Sequence, residues 1–149
     1  MTALPAAWHP LVPVTASTWL GEVEGDEGSL WTGGDARPLR QLDLDRPVSC
    51  LPLLERSLDD VLRDVDRAEG ECRPGTFRAL RRLVPATVVE TALRSKSGHW
   101  LEAACRWLAA MQPSDRTARW ARQIESSAAA SQATRHEARR ARRRWFTSR

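Results

Sequence analysis

The sequence predicts a mainly α fold: a small helical domain of four to five helices behind an N-terminal segment that is irregular or bears a β-hairpin. Three observations point there. Apolar residues recur with a helical period from Pro52 onward. Residues 1–48 hold five of the nine prolines and five of the eight glycines, the residues that punctuate chains with turns. At 149 residues, 42% hydrophobic and 28% charged, the chain is long enough to bury one real core and is composed like an ordinary globular domain.

Within the first segment, Thr18–Val23 and Ser29–Thr32 are β-prone and flank Glu24-Gly25-Asp26-Glu27-Gly28. Two such stretches around a Gly/Asp turn read as a hairpin. Gln41–Leu44 reads as a further short strand ended by Pro47. The alternative is irregular coil held down by Trp8, Trp19 and Trp31. Either way, residues 1–48 are too short to bury a core of their own and are expected to pack on the helices through those tryptophans. The expected organisation is this segment, a helical core over 49–130, and a basic tail over 131–149 that can itself be helical.

Leu54, Leu58, Val61, Leu62 and Val65 fall on one helical face, with Gly70 as a left-handed stop. Pro74 and Thr76 flag the next helix, Thr76 as its N-cap, and Phe77, Leu80, Leu83 and Val84 form its stripe. Pro85 removes a donor and clashes one turn back, so it kinks or splits that helix before Val88, Val89, Ala92 and Leu93 continue it. After the Ser95–Gly98 loop, Trp100, Ala104, Trp107, Leu108 and Met111 line one face, widened by Leu101 and Cys105. This broad stripe predicts the central helix. Trp100, Ala104, Trp107 and Leu108 are expected to pack against Leu58, Val61, Leu62 and Leu93. Gln112-Pro113 ends it, and Ser114 caps the next helix, with Asp115 favourable in its first turn and Trp120, Ile124 and Ala128 on its apolar face.

Ala79-Leu80-Arg81-Arg82-Leu83-Val84-Pro85, Val88-Val89-Glu90-Thr91-Ala92-Leu93 and His99-Trp100-Leu101-Glu102-Ala103-Ala104-Cys105-Arg106-Trp107-Leu108 follow one another. The run from Arg78 to Met111, 34 of 149 residues, resembles a HEAT-type helical hairpin. In that family a proline often interrupts the first helix, and alanine and leucine fill the second. The resemblance implies a scaffold that binds protein or nucleic acid on one face and performs no chemistry. One hairpin alone cannot stack into a solenoid.

Charge is segregated. Residues 1–70 carry 13 acids against 6 arginines, and residues 71–149 carry 17 basic residues against 6 acids. Such asymmetry points to binding. Chemistry is not indicated: no phosphate loop, dinucleotide fingerprint, zinc-protease motif or nucleophile elbow is present. No catalytic residue, metal ligand or cofactor is assigned. His9, His99 and His136 are far apart, and Cys50, Cys72 and Cys105 form no close pair, whereas zinc sites want both. The acidic turn Glu22, Glu24, Asp26, Glu27 places glycines where calcium ligands should be, so it reads as solvated. Asp59, Asp60, Asp64 and Asp66 read as a solvated helix face, although Asp60 and Asp64 at i, i+4 could hold a cation or accept a basic partner. No apolar run approaches the roughly 18 residues that span a bilayer. The first basic residue is Arg37, so the start reads as no signal peptide. An odd number of widely spaced cysteines fits a cytoplasmic protein with reduced thiols.

The binding candidates are Arg139, Arg140, Arg142, Arg143 and Arg144, followed by Trp145. On a helix, Arg135, Arg139 and Arg142 share one face with His136 beside them, and Arg140, Arg143 and Arg144 occupy the next. Arginines this dense can neutralise phosphates, and Trp145 could stack on a base or anchor in a groove. The run also fits a solubilising terminus or a tail folded back on the acidic half. Of the 23 basic residues only Lys96 is lysine, a bias that a GC-rich genome would produce. The expected function is a non-enzymatic protein-interaction module, an adaptor or inhibitor-like partner, whose polarised surface steers an acidic protein and whose exposed tryptophans anchor it. The alternative is a nucleic-acid-binding protein using the arginine-rich tail.

Overall fold

The proline- and glycine-rich start of the chain is a sheet. The structure, a computed structural model, describes residues 7–35 and 37–147. Strands β1 (Trp8–Thr15), β2 (Thr18–Val23), β3 (Trp31–Gly34) and β4 (Arg37–Gln41) form an antiparallel meander in the order β1-β2-β3-β4. With six helices among the described residues, 58% helix and 16% strand, the fold is mixed α+β. The expected mainly α fold of four to five helices is overturned.

The reason is physical. Pro10 and Pro13 lie in β1 and Pro38 in β4, and these are the two edge strands. There a missing N–H need not break a ladder. Register shifts between Pro10 and Val12 and between Pro13 and Thr15 bend β1 and put the adjacent Leu11 and Val12 both in the core. Prolines and bulges erase the strict alternation by which a strand is read.

Within β2, Gly21 is required by close approach: a Cβ there would collide with the His9 carbonyl and the Trp8 ring. Gly21→Ala is expected to destabilise the protein by roughly 2–3 kcal/mol through this overpacking. Chemical denaturation checks it, and an unchanged midpoint would contradict it. The β2–β3 connection needs glycine for a different reason, since Gly25 and Gly28 both adopt left-handed backbone, with φ of 87° and 89°.

The chain divides into two units, Met1–Val88 and Val89–Arg149. In the first, the 3₁₀ segment Val48–Glu55 and helix α1 (Leu58–Ala68) pack on β1, and α1 also packs on α2 (Pro74–Arg82). Leu11, Val12, Val14, Leu20, Leu53, Val61 and Val65 are buried there. Aliphatic residues thus fill the core, while Trp8, Trp19 and Trp31 are half-buried. Helix α1 starts at Leu58 because the Ser57 side chain accepts from Asp60 N (3.2 Å); Leu54 belongs to the 3₁₀ segment. Gly70 is not left-handed. Instead the Glu71 and Cys72 N–H groups both donate to the Ala68 carbonyl.

Pro74 occupies the first turn of α2, where its missing N–H is harmless. Thr76 is no cap: it is buried, and its hydroxyl donates to Glu22 Oε2 at 2.6 Å. Gly75 N donates to Glu27 Oε1 (3.2 Å) and Arg73 Nη2 to the Val23 carbonyl (2.7 Å). Two carboxylates of the acidic turn therefore face the positive end of α2, and Glu22 is only 6% exposed. Pro85 splits the helix as expected: Val84 leaves helical geometry (φ −112°, ψ 121°) within the Leu83–Thr87 turn.

Helix α3 (Val88–Ser95) begins at the boundary of the two units. The second unit continues with α4 (Gly98–Ala110), α5 (Asp115–Ser126) and α6 (Gln132–Thr147), which pack on one another. Their ends follow local chemistry. Ser97 accepts from Trp100 N, and Ser114 and Thr117 form a reciprocal capping box. Leu101, Ala104, Trp107, Leu108, Trp120, Ala121 and Ile124 are buried in this unit. Leu58 and Val61, expected to share a core with Trp107, belong to the first unit, and Trp100 and Leu93 are half-buried.

Candidate functional site

The arginine-rich segment is helix α6. Alanine, arginine, glutamine and glutamate all favour helix. At its start the Ser131 hydroxyl accepts from Thr134 N at 3.1 Å and lies 2.9 Å from Thr134 Oγ1. Thr134, Ala138 and Ala141 are buried at 4%, 1% and 1% exposure, and Trp145 is half-buried. The spacing i, i+4, i+7, i+11 is one helical face. Its small side chains let α6 sit close against α4 and α5. At the α4 contact, Cys105 Sγ donates to the Thr134 carbonyl (3.8 Å).

The opposite face is basic. His136, Arg139, Arg140, Arg143 and Arg144, at i, i+3, i+4, i+7 and i+8, line one shallow depression of about 460 Å³. A second, of about 440 Å³, continues toward the helix start along Gln132, Arg135, His136 and Arg139. Arg140, Arg143 and Arg144 are exposed.

Arg142 is turned elsewhere. Its Nε and Nη2 donate to the two carboxylate oxygens of Glu125 on α5, at 2.7 and 2.9 Å. Arg139 Nε adds a longer bond to the same group, 3.3 Å to Oε1. The Glu125 side chain is only 12% exposed. Hydrogen bonds from Arg142, then its charge, then Arg139, outweigh burial and hold the Glu125 carboxyl below its ordinary range. Arg140 pairs with Glu137 at 3.2 Å, both more than half exposed, and Arg135 Nε donates to the Ala130 carbonyl (3.0 Å).

The residues singled out from sequence therefore separate. Arg139, Arg140, Arg143 and Arg144 lie on the outward face, Arg142 clasps Glu125, and Trp145 sits partly under the helix. His136 joins the outward face. Glu125 carried no signal in the sequence, because its role depends on how α5 and α6 cross.

A carboxyl whose folded pKa is depressed stabilises the fold above its unfolded pKa, and that contribution is lost as pH falls through the folded value. Glu125→Gln is expected to cost about 1–2 kcal/mol at neutral pH. The difference from the wild type should vanish progressively below about pH 4. Melting curves across pH check this; a difference that persists undiminished in acid would contradict it.

Several other candidate polar groups have partners within the fold. The Asp64 carboxylate is held by Arg56 (2.6 Å) and Arg67 (2.8 Å), Asp60 by Arg63 (3.2 Å) and Asp66 by Arg81 of α2 (3.1 Å), so three of the four aspartates on the acidic face of α1 have arginine partners. His9 Nδ1 lies 3.8 Å from Glu22 Oε1, and His99 meets the Trp100 ring edge-on at 4.6 Å. Burial pushes the Cys50 thiol up to about 12 and Cys105 to about 11, and raises Cys72 as well. None is a thiolate at neutral pH. Among the described residues no group of three or more His, Cys, Asp or Glu is placed to hold a metal ion. No helix among them is long and apolar enough to cross a membrane. Neither a protein-family model, nor a curated protein, nor a solved structure matches the chain.

Proposed function

We propose that this protein is a binding module that engages nucleic acid through the outward face of α6. The observation that carries the reading is the placement of His136, Arg139, Arg140, Arg143 and Arg144 on one side of a helix whose other side is buried. Such a face presents several cations to phosphates at once, without reorganising the fold. Guanidinium groups suit the task, because their planar fork matches phosphate oxygens. Residues 89–149 as a whole carry 13 basic residues against 5 acids, which supports attraction at longer range. The HEAT-type resemblance over 78–111 fits the same class of function, binding without chemistry. A cytoplasmic location belongs to this proposal and rests on three unpaired cysteines.

The protein-interaction reading draws on the same charge but also needs an exposed aromatic anchor. Trp107 and Trp120 are buried, and Trp8, Trp19, Trp31, Trp100 and Trp145 are half-buried. The single large apolar side chain exposed among the described residues is Val48. Among the described residues no exposed aromatic anchor is present, and nucleic acid is the better-supported ligand.

Titrating the full chain into a fluorescently labelled oligonucleotide tests this. A dissociation constant of about 10⁻⁴–10⁻⁶ M at physiological salt is expected, the usual range for backbone-directed binding. Polyglutamate at equal charge should fail to displace the oligonucleotide. No binding, or equal displacement by polyglutamate, would overturn the reading in favour of an acidic protein partner.

A further inference from the structure

The geometry points to double-stranded DNA as the ligand of the α6 face, with the helix laid along the major groove and its arginines on the flanking phosphates. This rests on the nucleic-acid reading above and narrows it by three observations.

Charge spacing comes first. His136 to Arg144 is eight residue steps, roughly 12 Å along the axis at the rise of an α-helix. Over that length a duplex presents about seven phosphate charges, twice what either strand offers alone. The four arginines form two rows, Arg139 with Arg143 and Arg140 with Arg144, each pair at i, i+4, so the face offers charge to two lines of phosphates where a single strand has one.

Next, the described residues of the basic face offer no stacking platform. Proteins that hold single strands set aromatic rings under successive bases. The imidazole of His136 is the one ring among the residues lining the basic depressions. Trp145, adjacent in sequence, is half-buried with the inward face.

Shape completes the case. A helix with its side chains is about 10–12 Å across and fits the roughly 12 Å major groove of B-DNA. The major groove of duplex RNA is too deep and narrow to admit it. Arg139 and Arg140 can also leave their present partners. Arg142 alone satisfies both Glu125 oxygens at 2.7 and 2.9 Å, so the 3.3 Å bond from Arg139 is dispensable. The Arg140–Glu137 pair is exposed and worth little.

The test compares the full chain on three labelled probes of one sequence, about 20 nucleotides long and at low salt: duplex DNA, one of its strands, and the RNA duplex. Duplex DNA is expected to bind at least about tenfold more tightly than either of the others. In the wild type's place, Arg143→Gln with Arg144→Gln should bind the duplex about tenfold more weakly at low salt while remaining folded. A single strand or RNA duplex bound as well as duplex DNA would overturn the inference and leave the nucleic-acid reading standing. Failure to bind any of the three would overturn both.

Discussion

Trp107→Ala is expected to destabilise the protein by about 3–5 kcal/mol, the usual cost of emptying a site built for a large buried aromatic. Trp107 is 1% exposed and is the largest fully buried side chain. It lies on α4, the helix that packs against both α5 and α6. Small neighbours on its own helix, Ala103 and Ala104, are buried with it at 0% exposure and cannot fill the space an alanine would leave. For a chain of this size the loss amounts to roughly 10 °C in melting temperature. Trp100→Ala, at a half-buried position, should cost clearly less. A Trp107→Ala variant that melts with the wild type would show that α4 is not central to its unit.

The second large effect is on binding. Replacing Arg139, Arg140, Arg143 and Arg144 together with glutamine is expected to weaken nucleic-acid affinity by about 100-fold at low salt, the scale set by four neutralised phosphates. Stability should change little, because glutamine also favours helix and the buried line Thr134, Ala138 and Ala141 is untouched. Arg142→Gln should do the reverse. It breaks the bidentate bond to Glu125, which is expected to lower stability by about 1–2 kcal/mol while affinity holds. Paired binding titrations and melting curves check both variants. Equal losses of affinity from the two would mean that the arginines act as undifferentiated charge.

Much of the second unit, and the break in the chain just before it, was legible in the sequence, because the signals are local. Ser114 caps α5, Pro85 splits the chain before α3, and the Trp100-to-Met111 stripe marks α4, since capping, donor loss and helical periodicity need no knowledge of the rest of the fold. The first unit was less legible because its order is set by partners distant in sequence. Pro10 and Pro13 argue against a strand until β1 is known to be an edge. Thr76 has the chemistry of a cap, but the Glu22 carboxylate, 54 positions away in sequence, takes its hydroxyl. In α6 the density of arginine was plain, and its division was not. The helical wheel groups Arg142 with its neighbours, whereas Glu125 on α5 takes it out of the binding face.

The salt dependence of duplex-DNA binding by the wild-type chain tests the central claim most directly. If Arg139, Arg140, Arg143 and Arg144 each neutralise one phosphate, the plot of log affinity against log salt should be linear with a slope of about −3.6. A slope near zero would contradict ionic engagement by this face, and a slope that persists when the four arginines are glutamine would place the contacts elsewhere.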